Sequence, residues 1–129
     1  TFQTPFNPFK WGDAFTEGNS WHYTWSVFHD VQGLADLMGG RKMFVSMLDS
    51  VFNLPPIFDD SYYGGVIHEI REMEIANMGN YAHGNQPIQH MIYLYNYAGE
   101  PWKAQYWLPT VIVVMRITDR LLPGMCLPL

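Results

Sequence analysis

Two short segments of the sequence combine residue types that could perform chemistry, and the first is FTEGNSW, residues 15–21. Glu17 lies there in a glycine-containing loop, just before a predicted aromatic helix. Desolvation by Phe15, Trp21 and Trp25 would raise the pKa of this carboxyl group and keep it protonated as a general acid. The alternative is a carboxylate at a helix start, whose pKa the helix dipole would lower. From the residues alone, the helix-start role is favoured.

The second segment is YAHGNQP, residues 81–87, which brings an imidazole and two amide groups to the entrance of a predicted helix. Amide oxygens such as those of Asn85 and Gln86 are suitable ligands for a hard cation such as calcium. A zinc site is weakly supported, because His83 and His90 are seven residues apart and no third ligand has a diagnostic spacing. A plain helix-capping loop is the simpler interpretation of this segment.

Helices are the elements predicted to position these residues. Apolar residues between Trp21 and Ala35 recur at three- and four-residue steps, which predicts one helix that stops at Gly39. His29 and Asp30 would lie one third of the way along this helix. They would bind a sugar hydroxyl there, or contribute to a helix interface.

Further helices are predicted along the rest of the chain, after an irregular N-terminal segment over residues 1–20. One helix follows Gly40 and carries its apolar residues on one face: Phe44, Met47, Leu48, Val51 and Phe52. Another covers residues 66–77, and two more begin at Pro87 and Pro101, since proline is favoured in a first helical turn.

Two local expectations come with these helices. The polar face of the segment 66–77 is interpreted as solvated, and it consists of Glu69, Arg71, Glu72 and Glu74. The segment Thr110–Val114 is rich in β-branched residues and follows Pro109, which should interrupt the preceding helix. A strand is therefore predicted there.

Composition limits the classes of function. Of the 129 residues 48% are hydrophobic and only 15% charged, so part of the surface is expected to face other protein. The net charge of −5 and the absence of a basic run longer than Arg41-Lys42 argue against nucleic acid as a partner. No uninterrupted apolar stretch approaches the length of a membrane span. The single cysteine, Cys126, excludes an internal disulfide and a multi-cysteine metal site.

Aromatic residues make up 16% of the chain. Such rings stack on the apolar faces of sugars, although a large aromatic core is the simpler explanation.

Five blocks of the sequence, in order and with plausible spacing, resemble glycoside hydrolase family 92. These blocks are FTEGNSWHY, HDVQGL, LMGG, GNYAHGNQP and YLYNYAG, at residues 15–23, 29–34, 37–40, 79–87 and 93–99. The resemblance covers about residues 1–108, which are interpreted as a fragment of the catalytic domain. Residues 109–129 form a tail of different character.

The resemblance implies an all-α fold that is part of an (α/α)6 barrel. The family's N-terminal β-sandwich domain and the rest of the barrel are absent from this chain. Members of the family remove terminal α-linked mannose from glycans with inversion, and they use Ca²⁺ to grip the sugar and help distort its ring. The resemblance also implies a secreted, periplasmic or cell-surface location.

Roles for individual residues follow from the same resemblance. Glu17 would be the general acid, and Asn85 and Gln86 would belong to the calcium-binding loop. Many relatives carry Glu where Gln86 stands, which leaves its role open. The residues that would line or support the sugar pocket are Trp21, His22, His29, Asp30 and His83.

The resemblance assigns no general base to a residue of this chain. The family supplies it from an acidic Gly-Asp-Glu-Asp-type segment after the helix that begins near Pro101, and the chain has no such segment. With some codon choices, the DNA that encodes the tail would encode this acidic segment in another reading frame. We therefore interpret residues 109–129 as the product of an out-of-frame deletion after about Leu108. The isolated chain is then expected to be inactive. A non-catalytic carbohydrate-binding or scaffold helical domain is the alternative.

Overall fold

The computed structural model describes residues 4–121, and within this range the chain is helical. No strand forms there, and the extended pairing found is a single bridge between Lys10 and Asp59. The all-α prediction is confirmed, and residues 4–19 are irregular, as predicted for the N-terminal segment. The helices are Ser20–Tyr23 (α1), Val31–Leu37 (α2), Arg41–Asn53 (α3), His68–Ala76 (α4), the 3₁₀ helix Gln86–Tyr93, Leu94–Tyr97 (α5) and Pro101–Leu121 (α6).

The core is built around α3. Its buried residues recur at the three- and four-residue spacing of an amphipathic helix, and they are Phe44, Val45, Leu48, Val51 and Phe52. Met47, predicted to share that face, is partly buried against the core.

Rings from later in the chain pack on the end of α3. The ring of Phe52 stacks on that of Trp107 with centroids 4.9 Å apart, and its centroid lies 4.8 Å from that of Tyr81. The buried Tyr81 therefore ties the loop after α4 to the same core that α6 covers.

The single helix predicted from Trp21 to Gly39 is wrong: two short helices, α1 and α2, are separated by an irregular stretch. The reason is local capping. Asn19 caps α1, and the Oδ1 of Asp30 accepts a hydrogen bond from the N–H of Gly33 at 2.8 Å to start α2. Asp30 and its neighbour His29 therefore lie at a helix entrance and not inside a helix.

The prediction that the polar face of α4 is solvated is only half correct. Arg71 and Glu74 are exposed, but Glu69 and Glu72 are buried. Glu69 pairs with His68 at 3.0 Å, and the carboxylate of Glu72 packs against the loop that follows α4. Charge alone cannot reveal this burial, because it depends on which segment later covers the helix.

The strand predicted over Thr110–Val114 is also wrong, since α6 continues through Pro109 to Leu121. An internal proline removes one helical hydrogen bond and costs about 3 kcal/mol in an isolated helix. Here Val111 is buried, and Val114 and Met115 pack against the core, so tertiary packing outweighs the local preference. Residues 122–129 of the tail, with Cys126, lie outside the described residues.

None of the helices within residues 4–121 has both the length and the apolar character needed to cross a bilayer. Several large apolar side chains of the described part are exposed, among them Phe28, Leu37, Tyr97 and Trp102.

Candidate functional site

The Glu17 loop, residues 12–19, closes on itself before α1 begins. The N–H of Gly12 donates to the carbonyl of Gly18 at 3.0 Å, and the Tyr23 hydroxyl donates to the carbonyl of Thr16 at 2.7 Å. Glu17 has a left-handed backbone with φ of 50°. Such a conformation is unfavourable for a residue with a long side chain, and it persists only where the surroundings impose it.

The side chain of Glu17 is exposed, so the desolvation predicted from its aromatic neighbours is absent in this chain. The rings make other contacts. Phe15 stacks on Tyr23 at 5.0 Å, Trp21 lies 6.2 Å from Phe9, and Trp25 meets the core edge-on.

The helix-start role weighed for this carboxylate is not found either. The first turn of α1 contains no acidic residue, and its cap is Asn19, whose side chain accepts from the N–H of His22. The carboxyl group of Glu17 therefore does not cap α1, although hydrogen bonds hold the backbone around it.

Two side chains from distant segments hold the peptide groups of Glu17. Its N–H donates to the Tyr63 hydroxyl at 3.1 Å, and its carbonyl accepts a hydrogen bond from the Nδ2 of Asn85. These partners are 46 and 68 residues away in sequence. The structure therefore brings together the two segments that the sequence singled out for chemistry.

The His83 loop, residues 79–86, rests on the C-terminal end of α3. The N–H of Asn80 donates to the carbonyl of Val51 at 2.7 Å. Gly79 has φ of 65°, and a Cβ at this position would lie 2.2 Å from that same carbonyl oxygen. Only glycine accommodates both the left-handed backbone and the close approach of two chains.

His22 joins the two loops from within the core. Its Nδ1 accepts from the N–H of Asn19 at 3.1 Å, and its Nε2 donates to the carbonyl of Asn80 at 2.6 Å. The ring also meets Trp11 edge-on at 4.8 Å. Burial lowers the pKa of His22 to about 4, although the bond to Asn80 opposes this shift. His22 is thus neutral and supports the loops, and both ring nitrogens are occupied.

His83 is more exposed to solvent than His22. Its Nδ1 lies 2.5 Å from the hydroxyl of Tyr81. Burial raises the pKa of Tyr81 and lowers that of His83, so a neutral phenol donates to a neutral imidazole. This assignment places the remaining N–H of His83 on Nε2, where it can donate to a ligand.

Asn85 and Gln86 differ in their surroundings. Asn85 is 2% exposed, and its Oδ1 has no hydrogen-bond partner within the described part of the chain. Gln86, the first residue of the 3₁₀ helix, is exposed. A buried amide oxygen without a partner beside an accessible one fits a hard cation, which prefers such oxygens. Residues 4–121 contain no cluster of three acidic, histidine or cysteine side chains that could complete a metal site.

The other residues predicted to line the pocket lie in different places. His29 and Asp30 border an open surface depression with Leu34 and Leu37, whereas His83 borders a separate cavity beside α6. Trp21 is partly buried against the core. The structure thus unites Glu17, His22, Asn85 and their loops, and leaves the His29–Asp30 pair apart.

Three residues at the site were not predicted to belong to it: Tyr63, Asn80 and Glu72. Tyr63 and Asn80 act through hydrogen bonds to segments far away in sequence, for which no local signal exists. The carboxylate of Glu72 lies so near Gly84 that a Cβ there would approach its Oε2 to 1.7 Å. The glycine within the AHGNQP run was the available sign that another group approaches this loop closely.

The described residues form a helical domain that presents the carboxylate of Glu17 on a loop held by Tyr63 and Asn85. Residues 1–115 match the model of the glycosyl hydrolase family 92 catalytic domain. The chain therefore belongs to this family, and the family predicted from the five sequence blocks is confirmed. The helices described above correspond to part of the family's helical domain.

Solved structures agree with this assignment. The chain is similar to the family GH92 α-mannosidase BT3965 from Bacteroides thetaiotaomicron, with 35% identity over 88% of this chain and a TM-score of 0.65. The same enzyme in complex with mannoimidazole matches with 34% identity over 92% of this chain and a TM-score of 0.63. The chain spans only 14% and 15% of those two structures. No curated protein sequence matches it.

Proposed function

We propose that this chain provides the acid half of an inverting, calcium-assisted α-mannosidase active site, with Glu17 as the proton donor. The observation that carries the proposal is the clamp on Glu17: its exposed carboxyl group projects from a left-handed residue whose N–H and carbonyl are both held. Backbone strain of this kind is concentrated at functional sites. The solved neighbour is an α-mannosidase, which supports mannose as the sugar.

In the proposed reaction, the bond between C1 of the terminal mannose and the bridging oxygen breaks, and its electron pair goes to that oxygen. Glu17 gives its proton to the departing oxygen. A water molecule adds to C1 from the opposite face and loses a proton to a general base. We assign no residue of this chain to the base. His83 is suited to donate its Nε2–H to a sugar hydroxyl.

Asn85 and Gln86 are the residues that we propose to bind the calcium ion through their amide oxygens. The unpartnered Oδ1 of Asn85 supports this assignment. A bound Ca²⁺ would supply a positive charge that grips sugar hydroxyls at this entrance. Since Ca²⁺ takes six to eight oxygen ligands, water and the sugar itself would complete the shell.

Removal of the proton donor tests the central claim. In a complete family 92 enzyme that carries this sequence, we expect Glu17→Gln to lower kcat on an alkyl α-mannoside by roughly 10²- to 10⁴-fold, the usual contribution of general acid catalysis. Glu74→Gln is the matched control, because Glu74 is an exposed carboxylate on α4, and it should leave kcat unchanged. Full activity of Glu17→Gln would remove Glu17 from the acid role.

Chelation tests the cofactor separately. Treatment of the same enzyme with EGTA should abolish turnover, and added Ca²⁺ should restore it. Mg²⁺ should not, since it demands a tighter octahedral shell than two amide oxygens on adjacent residues support. An enzyme that stays active in EGTA would refute the calcium assignment.

A further inference from the structure

The aromatic turn at residues 59–64 lies directly against the Glu17 loop. The backbone of Asp59 pairs with the segment before this loop: its carbonyl accepts from Trp11 at 2.9 Å, and its N–H donates to Phe9 at 2.9 Å. The side chain of Asp59 accepts from Asn7 at 2.8 Å and from the N–H of Ser61 at 3.0 Å. The turn is therefore anchored at its start to the strand-like stretch that leads into the loop.

Two consecutive tyrosines of the turn contact the loop in different ways. The ring of Tyr62 covers Gly12 so closely that a Cβ there would approach its Cδ1 to 2.3 Å. The hydroxyl of Tyr63 accepts the N–H of Glu17 at 3.1 Å. One tyrosine thus packs on the base of the loop, and the other reaches the residue at its tip.

We propose that Tyr63 is a positioning residue for the general acid: its hydroxyl holds the Glu17 peptide in the left-handed conformation that directs the carboxyl group toward the departing oxygen. The inference rests on the acid role proposed for Glu17. The half-buried ring of Tyr63 packs against the core, so the hydroxyl is presented from a rigid support. Without this acceptor, the peptide is free to leave a backbone conformation that is unfavourable for glutamate.

Amide exchange measured on the chain itself tests the contact. In Tyr63→Phe the ring and its packing remain while the acceptor is lost, and we expect the Glu17 amide proton to exchange faster by roughly 2- to 10-fold, the factor that one hydrogen bond is worth. Tyr62→Phe is the matched control, because it removes a hydroxyl from the neighbouring ring. Equal Glu17 exchange in wild type and Tyr63→Phe would overturn the proposal.

Kinetics in a complete family 92 enzyme that carries this sequence test the consequence. Tyr63→Phe should lower kcat on an alkyl α-mannoside by the same roughly 2- to 10-fold with KM unchanged. Hydrolysis of a 2,4-dinitrophenyl α-mannoside should be unaffected, because that leaving group departs without a proton. An equal loss on both substrates would indicate general damage to the site and would overturn the positioning role.

The two proposals fail in different ways. Full activity of Glu17→Gln would refute the acid role even if Tyr63 holds the Glu17 amide. Unchanged amide exchange in Tyr63→Phe would refute the positioning role even if Glu17 is the acid.

Discussion

The side-chain amide of Asn85 donates a hydrogen bond from Nδ2 to the backbone carbonyl of Glu17. This contact directly joins the two segments of the chain that carry candidate chemistry, across 68 residues. Asn85 is buried, and the other polar atom of its side chain, Oδ1, has no hydrogen-bond partner within residues 4–121. The Asn85 side chain thus donates a hydrogen bond that positions the proposed acid, and its Oδ1 is available to bind the proposed calcium ion.

Asn85→Asp separates these two tasks. The substitution keeps an oxygen for the metal and replaces the donor by a second oxygen, which faces the carbonyl of Glu17. Because an unmade buried hydrogen bond costs about 1–3 kcal/mol, we expect kcat to fall by roughly 5- to 150-fold while Ca²⁺ binding persists. Asn85→Ala, which removes both atoms, should lose both properties. Calorimetric titration with Ca²⁺ and steady-state kinetics on a complete enzyme would show whether the two variants differ; identical loss of Ca²⁺ binding would contradict this division.

His22 makes the stability of the chain depend on pH. Its pKa is lowered from 6.5 to about 4 by burial, so in acid the unfolded chain takes up a proton that the folded chain refuses. The contribution of His22 to stability is therefore fully present above pH 6.5 and is lost as the pH falls toward 4, by about 3 kcal/mol in total. Protonation would also give Nδ1 a hydrogen that opposes the N–H of Asn19.

Urea unfolding at several pH values measures this effect. The difference in unfolding free energy between wild type and His22→Gln isolates the contribution of the imidazole from that of the carboxylates. This difference should shrink steadily between pH 6.5 and pH 4. A difference that stays constant across the window would show that His22 does not couple folding to pH.

Gly79 should be among the least replaceable glycines of the chain. A Cβ there meets the backbone of α3 at Val51, which cannot move aside as a side chain would, and its φ of 65° strains any other residue. We expect Gly79→Ala to lower the free energy of unfolding by roughly 2–4 kcal/mol. Gly65→Ala is the control, because a Cβ at Gly65 meets open space.

Chemical denaturation of the two variants gives the comparison directly. Gly65→Ala should be neutral or slightly stabilising, by up to about 1 kcal/mol, since alanine restricts the unfolded chain. Equal stability of both variants would mean that the His83 loop does not rest on α3 in solution.

Much of the secondary structure follows from local signals. The spacing of Phe44, Leu48 and Val51 predicts α3, and Pro87 and Pro101 predict where the 3₁₀ helix and α6 begin. These signals succeed because they act within one or two turns of the chain. They fail at Pro109 and Glu72, where packing against another segment decides the outcome.

The candidate site divides in the same way. The sequence by itself determined the family, through five ordered blocks, and it singled out Glu17 and Asn85 as chemically useful residues. Only the tertiary structure decided that Tyr63 and Asn85 hold the N–H and the carbonyl of Glu17, and that His22 joins the loops from the core. The physical reason is that these hydrogen bonds close loops of 46 to 68 residues. Such contacts form only when the whole helical core brings their ends together, and no local pattern of residues encodes them.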